Sequence, residues 1–321
     1  MKALITGITG FVGSFLAEEC ARLGWEIHGT TFVLPGADAS EGVPGVPGAT
    51  LHALDLTDGP ATSDLLATVR PDHVYHLAAQ ASVPEAWHNP GATLLNNISA
   101  QLNVLEGIRR LDHPGLRLLV ISTAEVYGGA PPEAMPIAET APLQPLNPYA
   151  VSKATQDMLG YQYYRAYGVD VVRVRPFNHF GPRQRTGFVA SDFAKQVAEI
   201  ERGLRPPVIS VGNLSALRDF TDVRDIARAY TLALQLGEPG AVYNVCSGTG
   251  RPIQHLLDML LAASTAPIRV ERDPERMRPV DYPIVIGDVS LFHARTGWRP
   301  QFAFEQTVQD TLDYWRGQVA P

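Results

Sequence analysis

Tyr149 and Lys153 stand four residues apart in the run Asn147-Pro148-Tyr149-Ala150-Val151-Ser152-Lys153. On a helix that spacing puts both side chains on one face. A free tyrosine, with a pKa near ~10, is a poor proton carrier at neutral pH. A neighbouring ammonium favours the phenolate and is expected to pull that pKa down. A hydroxyl that holds the reacting oxygen completes such a set, and Ser122-Thr123 supplies one. Together these groups can move a proton to or from a carbonyl or alcohol oxygen. The plain alternative is an amphipathic helix with a surface Tyr and Lys.

A second cluster lies near the start of the chain, in Thr6-Gly7-Ile8-Thr9-Gly10-Phe11-Val12-Gly13. A strand-type run, Ala3 to Thr6, precedes it, and a helix-type run, Phe11 to Leu23, follows. Glycines there allow a tight turn and a close backbone approach to a pyrophosphate. The free N–H groups of the helix start then meet the anion.

The elements that must position these groups alternate. Strands are expected at 3–6, 26–32, 50–54, 74–78, 116–122 and 171–175, and helices at 11–23, 91–110 and 148–167. Gly24 suits the C-cap of the first helix. Asn147 and Pro148 suit the cap and first position of the helix at 148. Such alternation predicts a Rossmann-like, doubly wound α/β fold with a parallel sheet and right-handed crossovers. Residues 35–48 interrupt it: seven of these fourteen are Gly or Pro, which reads as an irregular surface loop. After Pro176 the rhythm changes to helices at 188–202, 223–235, 252–263 and 303–317. We expect a dinucleotide-binding domain over 1–176, with 219–247 returning to it. A smaller mixed α/β substrate lobe would cover 177–321. Cys246, in an apolar run, reads as a buried thiol, His76 as a packed core residue, and Trp298-Arg299-Pro300 as a structural turn.

Composition narrows the function. The chain has 321 residues and a formal net charge of −7, which argues against a basic nucleic-acid footprint. No apolar stretch approaches the ~18–20 residues of a membrane span. Two cysteines are too few for a secreted disulfide framework, so a cytoplasmic location is expected. The histidines show no metal-ligand spacing, and no metal is expected.

The Gly-x-x-Gly-x-x-Gly loop resembles that of short-chain dehydrogenase/reductases. The run Ser122-Thr123-Ala124-Glu125-Val126-Tyr127-Gly128 with Tyr149 and Lys153 resembles the extended branch of that family. Further on, the run from Arg175 to Gln184, the stretch from Val211 to Asp225, and Arg276-Met277-Arg278-Pro279-Val280-Asp281 are similar to enzymes of the GDP-mannose pathway. They look most like those that reduce GDP-4-keto-6-deoxy-D-mannose to GDP-D-rhamnose, with GDP-mannose 4,6-dehydratases as near relatives.

The resemblance implies site residues. Thr123, Glu125, Tyr149 and Lys153 would be catalytic. The cofactor, NADPH or NADH, would lie against Gly7, Gly10, Phe11, Val12, Gly13, Thr31, Asp55, Leu56, Leu77, Ala78, Ala79, Gln80 and Asn97, as well as Tyr149 and Lys153. A GDP-linked sugar would meet Ser82, Thr123, Glu125, Asn178, Val189, Lys195, Arg218, Arg278 and Asp281. Arg183 and Arg185 lack family spacing and read as loop charges. His179 would serve near the nicotinamide through its backbone. Strand two ends in Gly29-Thr30-Thr31-Phe32, which supplies neither an acid for a ribose hydroxyl nor an Arg for a 2′-phosphate. Relatives pair the helices at 91–110 and 148–167 into a dimer, so a homodimer is expected.

Three nucleotide-sugar reactions share such a scaffold: 4-epimerisation, 4,6-dehydration and 4-keto reduction. A dehydratase needs acid–base groups beyond the tyrosine. Relatives of that kind have Asp-Glu or Ser-Glu after the threonine, where this chain has Ala124-Glu125. The expectation is therefore a nucleotide-sugar 4-ketoreductase, with dehydration or epimerisation as the alternative. A dinucleotide sensor without turnover would not need Tyr149 and Lys153.

Overall fold

The computed structural model describes residues 1–32, 48–273 and 282–319. The loop expected at 35–48 lies almost wholly outside them, as do Arg278 and Asp281. In chain order the strands are β1 (Lys2–Thr6), β2 (Glu26–Thr31), β3 (Thr50–Ala53), β4 (His73–His76), β5 (Arg117–Ile121), β6 (Val171–Pro176), β7 (Asn178–Phe180), β8 (Val208–Val211), β9 (Leu217–Asp222), β10 (Val242–Val245), β11 (Gly250–Pro252), β12 (Arg269–Arg272) and β13 (Ile284–Val285). The helices are α1 (Phe11–Arg22), α2 (Gly59–Val69), α3 (Val83–His88), α4 (Pro90–Arg110), α5 (Pro148–Tyr167), α6 (Val189–Glu201), α7 (Val223–Leu236), α8 (Ile253–Ala262), α9 (Ser290–Thr296) and α10 (Phe304–Gln318).

Seven strands form one parallel sheet in the order β10-β6-β5-β4-β1-β2-β3. Its central strands are buried on both faces, which is why they read as continuous apolar runs. Successive residues serve opposite layers. Ile5, Tyr75, Leu119 and Val174 pack with Phe15, Leu16, Ile226 and Tyr230 of α1 and α7. Leu4, Val74, Leu118 and Val120 pack with Leu66, Val104, Leu105 and Tyr163 of α2, α4 and α5. The doubly wound Rossmann-like fold follows from this two-sided cover. β10 reaches the sheet edge beside β6, although its sequence lies well beyond the change of rhythm at Pro176.

A third cluster joins α6, α8 and α10 around Phe180, Phe193, Phe220, Leu257 and Phe304. β9 runs between β11 and β13 and also pairs with β7, while β12 pairs with β8. Three helices were not expected from the sequence, α2, α3 and α9. The first two have side-chain caps: Asp58 accepts the N–H of Ala61 at 3.0 Å, and Ser82 accepts that of Glu85 at 3.3 Å. Trp298 is buried and donates its indole N–H to the Asp225 carbonyl. No described helix is long and apolar enough to cross a membrane.

Candidate active site

The glycine loop leaves β1 with Gly7 at φ +68°, a left-handed turn that favours glycine. A side chain at Gly13 would place its first carbon 2.4 Å from the Gly7 carbonyl oxygen, so the loop closes only with glycine there. Gly10 caps α1 with no side chain of its own, and the first turn of α1 carries no acid. The helix start is therefore open to an anion. Around it, Ala78 donates its N–H to Thr6 Oγ1 at 3.0 Å, and Thr9 and Thr31 share a hydroxyl contact at 3.3 Å. The cradle fits a dinucleotide pyrophosphate: small residues where the backbone must come close, N–H donors, no nearby first-turn carboxylate.

The other expected cofactor residues border this cradle in different ways. Asp55 is exposed, and its Oδ1 accepts the backbone and hydroxyl of Thr57. Leu56 is buried in the core beneath it. Leu77, Ala78, Ala79 and Gln80 follow β4 and stay partly open. Asn97 is fully buried, and its amide is spent on protein: it accepts from Gln80 N and donates to Gln80 O and Ser152 Oγ. Asn97 thus braces the loop after β4 against α5. Val12 and Phe11 sit half-buried at the helix start, and the Phe11 ring lies 6.1 Å from the His179 ring at an interplanar angle of 7°.

The helix expected at 148–167 has those bounds, with Asn147 accepting the N–H of Ala150 at 2.8 Å. Tyr149 lies in its first turn and hydrogen-bonds with Thr123 at the end of β5. Lys153 is buried, with Nζ donating to the Ile121 carbonyl at 2.8 Å. Glu125 Oε2 accepts from Asn147 Nδ2 at 2.6 Å, and its charge bears on Tyr149. The structure thus brings Thr123, Glu125, Tyr149 and Lys153 together.

One electrostatic expectation is corrected. The Tyr149 phenol is not made more acidic in this structure. Burial pushes its pKa up, the Glu125 carboxylate pushes the same way, and only the Thr123 hydrogen bond opposes them. Lys153 is itself brought down to about 7 by burial, which weakens it as a fixed positive neighbour. At neutral pH the tyrosine is a protonated phenol, the form a proton donor needs.

Behind this pair sits a network that the sequence did not announce. Asp157, two turns beyond Tyr149 on α5, is 1 % exposed. It accepts from Arg173 Nη1 at 2.6 Å and Arg175 Nε at 2.7 Å. Arg175 also donates to Tyr127 Oη, which donates to Asn244 Oδ1 at 2.7 Å. The catalytic helix is thereby tied to β6, β10 and the turn after Glu125. The i, i+4, i+8 spacing puts Asp157 on the helix face of Tyr149 and Lys153 but does not reveal its arginine partners on β6.

On the lobe side, Asn178 is exposed on β7. Arg218 on β9 donates to the Tyr282 carbonyl at 2.7 Å. Val189 opens α6, and Ser82 caps α3. Lys195 points at Glu199 Oε1, 3.6 Å away, and stands 5.6 Å from the Trp315 ring centroid. Arg183, read as a loop charge, is instead docked on α1, with Nη2 2.7 Å from Glu18 Oε1. His179 keeps its ring nitrogen on the Phe177 carbonyl, and burial lowers its pKa, so it is not placed for acid–base work. His76 and Cys246 are buried, and no group of residues that could hold a metal occurs among the described residues.

Residues 4–311 match the family model described as GDP-mannose 4,6 dehydratase. The chain belongs to the GDP-mannose 4,6 dehydratase family. The family assignment carries the extended short-chain dehydrogenase/reductase fold with it. Among family relatives, the chain is 36 % identical to GDP-6-deoxy-D-mannose reductase of Pseudomonas aeruginosa, covering 99 % of this chain and 98 % of that one. It is 31 % identical to GDP-mannose 4,6-dehydratase of Vibrio cholerae, covering 97 % and 92 %. The solved structure of RMD from Pseudomonas aeruginosa complexed with NADPH superposes with a TM-score of 0.85 at 34 % identity, over 99 % of each chain.

Proposed function

We propose that this protein is a nucleotide-sugar 4-ketoreductase that converts GDP-4-keto-6-deoxy-D-mannose to GDP-D-rhamnose at the expense of NADPH or NADH. The observation that carries the reading is Ala124, between Thr123 and Glu125. Loss of water from a sugar needs one group to take the C5 proton and another to protonate the departing hydroxyl. Ala124 offers neither, and Glu125 is held by Asn147. Reduction of a ketone needs a single proton donor, and the protonated Tyr149 is one. The likeness to a GDP-6-deoxy-D-mannose reductase supports the same choice.

In this reading residues 1–176 with 219–247 hold the dinucleotide, and 177–321 hold the sugar nucleotide. Gly7, Gly10, Phe11, Val12 and Gly13 would receive the pyrophosphate, and Lys153 the nicotinamide ribose. When bound, the reduced nicotinamide supplies a hydride for C4. Thr123 donates a hydrogen bond to the C4 oxygen and orients it. Tyr149 gives its phenolic proton to that oxygen. The resulting phenolate regains a proton by way of Lys153, whose pKa near neutrality leaves it able to give one. Arg218 and Asn178 would meet the diphosphate, whose two charges suit an arginine.

Dehydration remains the second reading because the family model carries that description and Glu125 is retained. Product mass separates the two. Incubation with GDP-mannose should give no loss of water, and incubation with GDP-4-keto-6-deoxy-D-mannose should consume one NADPH per product. Water loss from GDP-mannose without net cofactor use would replace the reductase reading.

The protein is further proposed to be a cytoplasmic homodimer. Both cysteines are free and buried, as suits a reducing compartment. Leu95 and Leu102 of α4 and Val151, Met158 and Tyr161 of α5 are exposed, an apolar face that a second copy would cover.

A further inference from the structure

We propose that Arg183 is a cofactor-phosphate residue, closing the pyrophosphate site from the lobe side; this rests on the nicotinamide-dinucleotide reading above. The residue adopts φ +68°, a conformation that L side chains rarely take. The loop leaves it little choice. Its neighbour Gln184 is buried, donates to the His179 carbonyl at 3.1 Å, and has its own carbonyl held by Ser191 Oγ at 2.8 Å. A glycine would satisfy that backbone, so a long side chain here calls for a reason.

The guanidinium provides one. It lies 4.1 Å over the Phe15 ring, pairs with Glu18 at 2.7 Å and reaches Ser14 Oγ at 3.4 Å. All three residues belong to α1, the helix whose start the glycine loop opens. A cleft of about 370 Å³ has Thr9, Gly10, Phe11 and Ser14 on one side and Arg183 on the other, with Tyr314 closing its end. The helix start contributes only partial positive charge, and its cap residue has no side chain to add to it. A pyrophosphate brings two full negative charges. Arginine presents its donors as a planar fork suited to phosphate oxygens. Phe15 holds that fork in place before the anion arrives, which lowers the ordering needed on binding, whereas the Glu18 carboxylate competes with the anion for its donors. The rival role is a strap that only ties the lobe to α1 through Glu18.

Isothermal titration of the full-length protein with NADPH and with ADP-ribose separates these roles. Wild-type binding of NADPH tests the cofactor reading itself, whereas the variants test Arg183. Arg183→Gly should weaken both ligands about tenfold or more, because both keep the pyrophosphate. The salt dependence of its binding should become shallower by about one phosphate contact. Glu18→Gln breaks the ion pair but keeps the cation, so affinity should stay within about twofold or tighten. Unchanged affinity in Arg183→Gly would overturn the proposal. So would a loss in Glu18→Gln as large as that in Arg183→Gly.

Discussion

Asn147 Nδ2 donates a 2.6 Å hydrogen bond to Glu125 Oε2, and the same Asn147 caps the helix that carries Tyr149 and Lys153. Glu125 is thereby a brace between the turn after β5 and the start of α5. Burial raises the Tyr149 pKa and keeps the phenol protonated, and the Glu125 charge adds to that. Glu125→Gln retains an acceptor for Asn147 and removes only the charge. Its kcat for keto-sugar reduction should fall less than about tenfold. Tyr149→Phe removes the proton donor and should lower kcat by about 10²–10⁴, with NADPH affinity within about twofold of wild type. Steady-state kinetics and titration check both. Abolished turnover in Glu125→Gln would mean that this carboxylate takes part in the chemistry.

Asp157 stands between Arg173 and Arg175 with almost no exposure. Asp157→Asn would leave two guanidinium groups facing a neutral amide in the interior. Removing one partner of a buried pair costs about 3–5 kcal/mol. The urea midpoint should drop accordingly with the m-value unchanged, and kcat should fall through displacement of α5. A midpoint equal to that of the wild type would show that the network carries no stability.

His76 ties acid sensitivity to the cofactor cradle. Thr6 Oγ1 accepts the Ala78 N–H and shares a 3.0 Å hydrogen bond with His76 Nδ1. Burial, with a smaller push from Lys153, lowers the His76 pKa to about 3. The unfolded chain therefore binds a proton that the folded chain refuses between pH 6.5 and about 3. The contribution to stability is fully present above the unfolded pKa and is lost as pH falls through that window. From pH 6.5 to 4.5 the loss is roughly 2–3 kcal/mol for this group. His76→Asn should show a smaller fall in urea midpoint between pH 7 and pH 4.5 than the wild type. Equal falls would assign acid sensitivity elsewhere.

What the sequence made legible follows the range of each signal. Gly7, Gly10 and Gly13 stand between one strand and one helix, so the cradle can be read from thirteen consecutive residues. Tyr149 and Lys153 share a helix face, and Asn147 marks where that helix begins. Thr123 lies at a strand end that the apolar run before it defines. The misses depend on contacts between distant segments. The partners of Asp157 lie on β6, and Arg183 meets α1 from the far side of the chain; no spacing rule links them. The direction of the Tyr149 pKa failed for a related reason. The i, i+4 pattern reports a neighbouring ammonium, but burial of both groups is set by packing. Asp58 and Pro60 suit the start of α2, but the segment carries few large apolar side chains to mark a helix face.

Hydride tracing tests the central claim most directly. NADPH deuterated at the transferred position and GDP-4-keto-6-deoxy-D-mannose are incubated with the protein, and the product is examined by mass spectrometry and proton NMR. The account predicts GDP-D-rhamnose with one deuterium, located at C4, and one NADP⁺ formed per product. Product without deuterium, or turnover of the sugar with no net oxidation of NADPH, would contradict it.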